Sequence, residues 1–257
     1  MTHVVTQEQI EFYQKNGFVQ VDNILSQEEV AELTEAMEEA MVERSQLSIA
    51  TDVSTGSYYK VLNQKVNVWR DHGIMAKYSL HARIAQAAKE LCGGSVRLFH
   101  DHALWKMPHD SKPTPWHQDL PYWPMNEPGA LSAWITVDDV DEKNGCMMFI
   151  PGSHKVGKLT GIDLVNPHNI FDFVNGTELE HVKPVVVPLK KGSCTFHHGQ
   201  TFHYAHSNQS DRPRRVLAII YMPDGTTYNG KKHIVTDGLG LEINARIKAG
   251  TLPLLAK

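Results

Sequence analysis

Apolar residues in the first third of the chain recur at helical spacing, and in the remainder they gather in short runs between Gly and Pro. Val30, Leu33, Met37 and Met41 lie three or four positions apart, as one face of an α-helix requires. Thr6 with Gln9, and Ser26 with Glu29, have the spacing at which two residues satisfy each other's unpaired amides, so each pair predicts a helix start. Gly17 is placed to end the first of these helices, and residues 18–21 alternate as a short strand would. A further helix is expected over about 81–91, ending at Gly93-Gly94. Residues 44–60 lose periodicity and collect Ser, Thr, Gly56 and the pair Tyr58-Tyr59, which predicts an exposed loop.

Beyond Val96 the pattern predicts strands over 96–107, 131–137, 146–150, 182–187, 193–196, 201–206 and 216–222. Repeated short strands with turn residues between them imply a sandwich or barrel. The expected class is mainly β with flanking helices in one domain over 1–257. Residues 1–95 supply helical and loop support, 96–225 the core, and 226–257 a C-terminal extension. The stretch 155–183 breaks the compact spacing and is long enough to be a lid.

A net charge of −4 with 41% hydrophobic residues gives no electrostatic reason to expect nucleic acid or a membrane surface. A small molecule is therefore the default ligand. The three cysteines, Cys92, Cys146 and Cys194, are widely spaced and read as reduced core residues. The opening residues carry no basic and apolar leader pattern, so a soluble cytoplasmic protein is expected, as monomer or homodimer.

His117-Gln118-Asp119 changes this picture. On an extended strand two residues that are two apart face the same side, so His117 and Asp119 can chelate one ion while Gln118 points away or, at the strand end, bends back. Two imidazoles and one carboxylate on one face of a divalent iron leave three positions open. Downstream stand His197, His198, His203 and His206, and the spacing of His203 from Asn208, Ser210 and Arg214 favours it as the third ligand. If His203 ends one strand and Arg214 begins the next, a turn returns the guanidinium to the metal, where it can grip a carboxylate in bidentate fashion. As an isolated trio, Arg212, Arg214 and Arg215 would read as a solvated turn. His100 and His102 form a competing pair two apart, His154 belongs to the turn opened by Pro151-Gly152-Ser153, and Trp105, Trp116 and Trp123 are more often core than contact residues.

The segments Trp116–Pro124, Trp134, 141–145, Pro151-Gly152-Ser153-His154 and 203–214 together resemble the phytanoyl-CoA dioxygenase family of iron(II) and 2-oxoglutarate dependent oxygenases. The resemblance runs over most of the chain. It implies a double-stranded β-helix, or cupin-like jelly-roll barrel. It also implies Fe(II) on His117, Asp119 and His203, with O2 and 2-oxoglutarate as cosubstrates and Arg214 on the distal carboxylate. Gln118, Trp134 and Lys60 fall where the family lines the cosubstrate pocket. Tyr59, Tyr122 and Trp123 are candidate substrate contacts. Tyr204 stands where the family often has Gly, and Ala205 replaces a common Ser. Because Asp119 is an acid and not the small residue of halogenating relatives, the implied outcome is hydroxylation of an unactivated C–H bond, coupled to conversion of 2-oxoglutarate to succinate and CO2.

Two other readings fit the residues alone. A zinc or manganese isomerase or hydrolase on a cupin-like barrel would also use two His and one Asp, but has no use for an Arg anchor. A noncatalytic ligand-binding jelly roll would need neither. Substrate choice is expected to reside in 44–70, 121–126 and the 155–183 lid.

Overall fold

The computed structural model describes residues 3–42, 49–50, 63–109, 112–163 and 169–256. The expected helix starts form as their residues suggest. At the head of α1 (Gln7–Asn16) the Thr6 hydroxyl accepts from the Gln9 amide and the Gln9 side chain accepts from the Thr6 amide. Ser26 and Glu29 make the same reciprocal pair before α2 (Gln27–Val42). Gly17 ends α1 in the left-handed region at φ 83°, and a Cβ there would stand 2.4 Å from Thr201 Oγ1, so glycine is required twice over. α3 (Gly73–Ser79), too short for its periodicity to announce, is capped by the His72 ring. α4 (Ala82–Cys92) ends at Gly93, again left-handed.

The strands form two antiparallel sheets. The larger has eight strands, ordered β1 (Phe18–Val21), β9 (Cys194–His198), β6 (Leu131–Thr136), β11 (Arg214–Pro223), β4 (Val96–Lys106), β3 (Asn63–Val66) and β2 (Ile49–Ala50), with β12 (Leu254–Ala256) also on β4. The smaller is ordered β5 (Thr114–His117), β10 (His203–Ala205), β7 (Met147–Phe149) and β8 (Val185–Val187). Together they make the jelly roll. The sheet is not confined to 96–225, since β1 pairs with β9, β3 with β4, and β12 with β4.

Strand alternation divides the larger sheet into two faces. Leu131, Ala133, Ile135, Leu217 and Ile219 point to the helices and are buried against Leu33, Met37, Tyr78, Ile84 and Leu91. Each such aliphatic side chain contributes roughly 1.5–3 kcal/mol by leaving water. Their neighbours Ser132, Trp134, Ala218 and Ile220 point the other way and line a cavity. That inner face is the one available for chemistry. The 155–183 stretch carries 3-10 turns at Ser153–Val156, Ile170–Phe173 and Glu178–His181, and Ile170 and Val174 pack on Ile150 and Phe202. All three cysteines are free, with Cys146 and Cys194 buried and Cys92 partly so. Among the described residues no helix is long and apolar enough to cross a membrane.

Candidate metal centre

β5 stops at His117, and Asp119 has φ −81° and ψ −42° at the head of a 3-10 turn, so the two are not on one extended strand. The helical turn, not strand alternation, brings the carboxylate back beside the imidazole. His203 lies opposite His117 in the β5–β10 ladder, with the ring centroids 4.0 Å apart. Asp119 Oδ1 stands 3.5 Å from Nε2 of His117 and 3.5 Å from Nε2 of His203. Among the described residues these three are the group whose ligand atoms lie close enough to share a metal, all within 4.8 Å of one another.

The surroundings orient each donor. His117 Nδ1 lies 2.8 Å from the Pro115 carbonyl, and His203 Nδ1 lies 3.0 Å from the Thr201 carbonyl. A carbonyl can only accept, so each Nδ1 carries the proton and each Nε2 presents a lone pair inward. Asp119 Oδ2 accepts from Ser132 Oγ at 2.9 Å and meets His197 Nε2 at 3.2 Å, which leaves Oδ1 to face the two ligand rings. Ser132 and His197 are register partners on β6 and β9, so a single cross-strand pair supports the carboxylate. Burial works to raise the Asp119 carboxyl, and its hydrogen bond with His197 works to lower it. Burial, with His117 beside it, pushes the His203 imidazole well below its ordinary value and keeps it neutral. Donors each about 2.0–2.2 Å from one small divalent ion sit near this spacing. The donor set fits an iron ion with one carboxylate and two imidazoles.

Arg214 approaches from the facing sheet. β10 and β11 do not form a hairpin, because they belong to different sheets and residues 206–213 cross between them. Asn208 organises that crossing by donating to the Lys106 and Arg212 carbonyls and accepting from Ser210. Arg214 is only 2% exposed, its guanidinium lies 5.1 Å from the Trp134 ring, and both line the cavity. The three arginines thus part company. Arg212 is exposed, while Arg215 turns to the helices and pairs with Asp138 at 2.6 Å and with Glu38. Lys106, opposite Arg214 on β4, donates to the Lys112, Ala205 and His206 carbonyls and does not line the cavity.

The cavity is about 600 Å³ and holds the three candidate ligands, Arg214, Trp134, Tyr122 and Trp123 on one continuous wall. Tyr122 donates to the Ile162 carbonyl at 2.8 Å and so joins the segment that follows the 3-10 turn at Ser153–Val156 to the turn that carries Asp119. Gln118 is placed otherwise than the resemblance implied. Its Nε2 donates to the Gly157 and Gln200 carbonyls, its Oε1 accepts from the Leu159 amide, and it is absent from the cavity wall. It is a brace between the Asp119 turn, residues 157–159 and the loop before His203. Tyr59 and Lys60 lie outside the described residues. Tyr204 stacks on Trp116 at 5.4 Å, and Ala205 lines the cavity.

Sequence reasoning missed several cavity residues. His197 was set aside as a ligand, and its role beside Asp119 depends on strand pairing that spacing does not reveal. His100 and His102, the competing pair of the sequence, line the cavity on β4 away from the metal group, and Lys232, His233 and Ile234 bring the C-terminal segment into the wall. Nothing marked His233.

A family model described as phytanoyl-CoA dioxygenase (PhyH) matches residues 13–216. A probable alpha-ketoglutarate-dependent hypophosphite dioxygenase of Stutzerimonas stutzeri is 28% identical over 230 residues, which are 83% of this chain and 77% of that protein. The crystal structure of the non-heme alpha ketoglutarate dependent carbocyclase SnoK from nogalamycin biosynthesis superposes with a TM-score of 0.84 at 26% identity, covering 99% of each chain. The epimerase SnoN, solved in complex with Fe3+, alpha ketoglutarate and nogalamycin RO, gives 0.80 at 28% identity, covering 97% of this chain and 98% of that one.

Proposed function

The chain belongs to the phytanoyl-CoA dioxygenase family, and from that premise we propose that it is an iron(II) and 2-oxoglutarate dependent dioxygenase that hydroxylates a C–H bond of a small molecule. One observation carries the reading: Asp119 Oδ1 faces Nε2 of both His117 and His203 in the same cavity that Arg214 enters from the opposite sheet. His117, Asp119 and His203 hold the metal. Bound there, iron supplies activation of O2 coupled to decarboxylation of 2-oxoglutarate to succinate and CO2.

The chain's own residues bind, orient and exclude water. Arg214 takes the distal carboxylate of 2-oxoglutarate, its guanidinium kept in place by the Trp134 ring. Ser132 and His197 engage Asp119 Oδ2, which would leave Oδ1 to hold the metal. Ile162, on the lid beside Tyr122, closes one side of the cavity. Iron held by these three side chains would keep positions open for cosubstrate and O2.

A second outcome is favoured by the near-complete overlap with a carbocyclase and an epimerase. In ring closure the two hydrogens lost by the substrate would leave as water as 2-oxoglutarate and O2 become succinate and CO2, whereas inversion leaves the substrate's composition unchanged and would draw two electrons from a reductant such as ascorbate. Purified protein with iron(II), ascorbate and 2-oxoglutarate is screened for succinate release across metabolite pools, and the consumed compound is weighed by mass spectrometry. Gain of one oxygen supports hydroxylation, loss of two hydrogens supports ring closure, and unchanged mass supports inversion. His117→Ala and Asp119→Ala should abolish turnover; succinate release persisting in both would sink the assignment.

A further inference from the structure

The inner face of β4 carries a second cluster that the metal centre does not use. His100 is 2% exposed and lines the cavity, with its ring 4.4 Å from that of His102 and 5.5 Å from that of His233. His117 and His203 each give a ring nitrogen to a backbone carbonyl, as an ordinary buried histidine does. Neither Nδ1 nor Nε2 of His100 has a hydrogen-bond partner among the described residues. Its neighbours are half satisfied. His102 Nδ1 lies 3.1 Å from Gln64 Oε1 and so carries the proton, leaving Nε2 as an acceptor. His233 Nδ1 accepts from the Val235 amide at 3.2 Å, leaving Nε2–H as a donor.

The three imidazoles therefore offer two donors and two acceptors with no formal charge, the nearby charged lining residues Lys232 and Asp163 being separate from them. Burial, with His102 and His233 beside it, pushes the His100 imidazole well below its ordinary value, and burial brings His102 and His233 down to about 4. A carboxylate or phosphate only accepts and would set lone pairs against the two acceptors. A hydroxyl both donates and accepts, and a carbonyl takes the remaining donor. Apolar Leu104, Trp123 and Ile220 lie between these groups, which suits a carbon framework. Position separates this patch from the cosubstrate anchor, because Arg214 pairs with Lys106, six residues along β4 from His100 (106 minus 100), roughly 20 Å. Ser132, Ile220 and His100 form one row across β6, β11 and β4, so His100 stands two strands, roughly 10 Å, from the serine that supports Asp119. His233 is flanked by Lys232 and Ile234, exposed residues of the same wall, so the patch lies just inside the mouth.

We propose that His100, His102 and His233 form the recognition subsite for the primary substrate, and that the part of the substrate seated there is an uncharged carbon framework bearing hydroxyl or carbonyl groups. The inference rests on the oxygenase reading, and the experiment keeps the two apart. Anaerobic protein loaded with iron(II) and 2-oxoglutarate is first checked for the visible absorption of that complex. It is then titrated by calorimetry with para-hydroxyacetophenone, which is neutral, and with para-hydroxybenzoate, its charged counterpart. Wild type should bind the ketone in preference to the benzoate. His100→Phe should weaken ketone binding by about tenfold or more while the absorption band still forms, and His100→Gln, which keeps a donor and an acceptor, should stay within about threefold of wild type. His233→Phe, on a partly exposed segment, serves if His100→Phe does not fold. Preference for the benzoate, no saturable ketone binding by wild type, or equal ketone affinity in wild type and the Phe variants overturns the proposal. Absence of the absorption band in wild type undoes the oxygenase reading instead, and the ketone titration still judges the subsite.

Discussion

Replacing Gln118 by leucine keeps nearly the same volume and removes three hydrogen bonds to backbone. The lost bonds are to the Gly157 carbonyl at 2.8 Å, the Gln200 carbonyl at 2.8 Å and the Leu159 amide at 2.9 Å, all made by a side chain that is 2% exposed. Stranding one buried backbone group costs about 1–3 kcal/mol. Two of the three share a single amide nitrogen and the lid can relax, so the sum is set at about 3–5 kcal/mol rather than the full total. For a domain of this size each kcal/mol moves Tm by roughly 2–4 °C, which gives a fall of about 6–20 °C in Gln118→Leu. Gln118→Glu should fare no better, since a carboxylate can accept from Leu159 but offers nothing to the two carbonyls. Thermal melts of the metal-free protein measure the loss, and calorimetry of 2-oxoglutarate binding to iron-loaded protein measures the site. A melt within about 3 °C of wild type, together with a tenfold loss of cosubstrate affinity, would refute the bracing role and restore Gln118 to the pocket.

Three further outcomes follow from the same geometry. Ser132→Ala leaves Asp119 Oδ2 with His197 alone and should lower iron affinity about 10–100-fold by competition with a chelator; unchanged affinity would show that the hydroxyl does not orient the ligand. Arg214→Lys keeps the charge but loses the planar fork and should weaken 2-oxoglutarate binding about tenfold or more, with iron binding intact; equal cosubstrate affinity would remove Arg214 as the anchor. Burial raises the Asp101 carboxyl from 3.8 to about 6, so the folded chain holds that proton more tightly than the unfolded one. The associated stability is fully present below pH 3.8 and is lost as pH rises through about 6, and Asp101→Asn should flatten the urea midpoint across that window. An unchanged pH profile in the variant would assign the dependence elsewhere.

Local signals carried most of the fold. Capping pairs such as Thr6 with Gln9 act within one turn and can be read from four consecutive residues. Strand ends were read less well. β11 reaches back to Arg214, where two arginines hide the strand from a hydrophobicity pattern, and β8 covers only three of the six residues expected. The metal group was legible because its motif is a contiguous tripeptide with a distant histidine. Its local geometry was not, because the chain leaves β5 at His117 and turns helically at Asp119. The support of Asp119 by Ser132 and His197 depends on β6 lying beside β9, a pairing between residues 65 apart in sequence (197 minus 132). His233 was beyond reach for the same reason, as the C-terminal segment enters the wall only through tertiary packing.

The end of α1 bears on how far the barrel can be regarded as a separable part. The Gly17 carbonyl accepts from the Thr201 hydroxyl at 2.7 Å and from the His198 amide at 2.8 Å, while the Thr201 carbonyl receives the His203 ring. A segment near the start of the chain is thus two bonds away from a metal ligand near position 200. Trimming α1 would remove both bonds to the Gly17 carbonyl, one of them from β9, so the support behind the His203 ring and the edge of the larger sheet would be lost together.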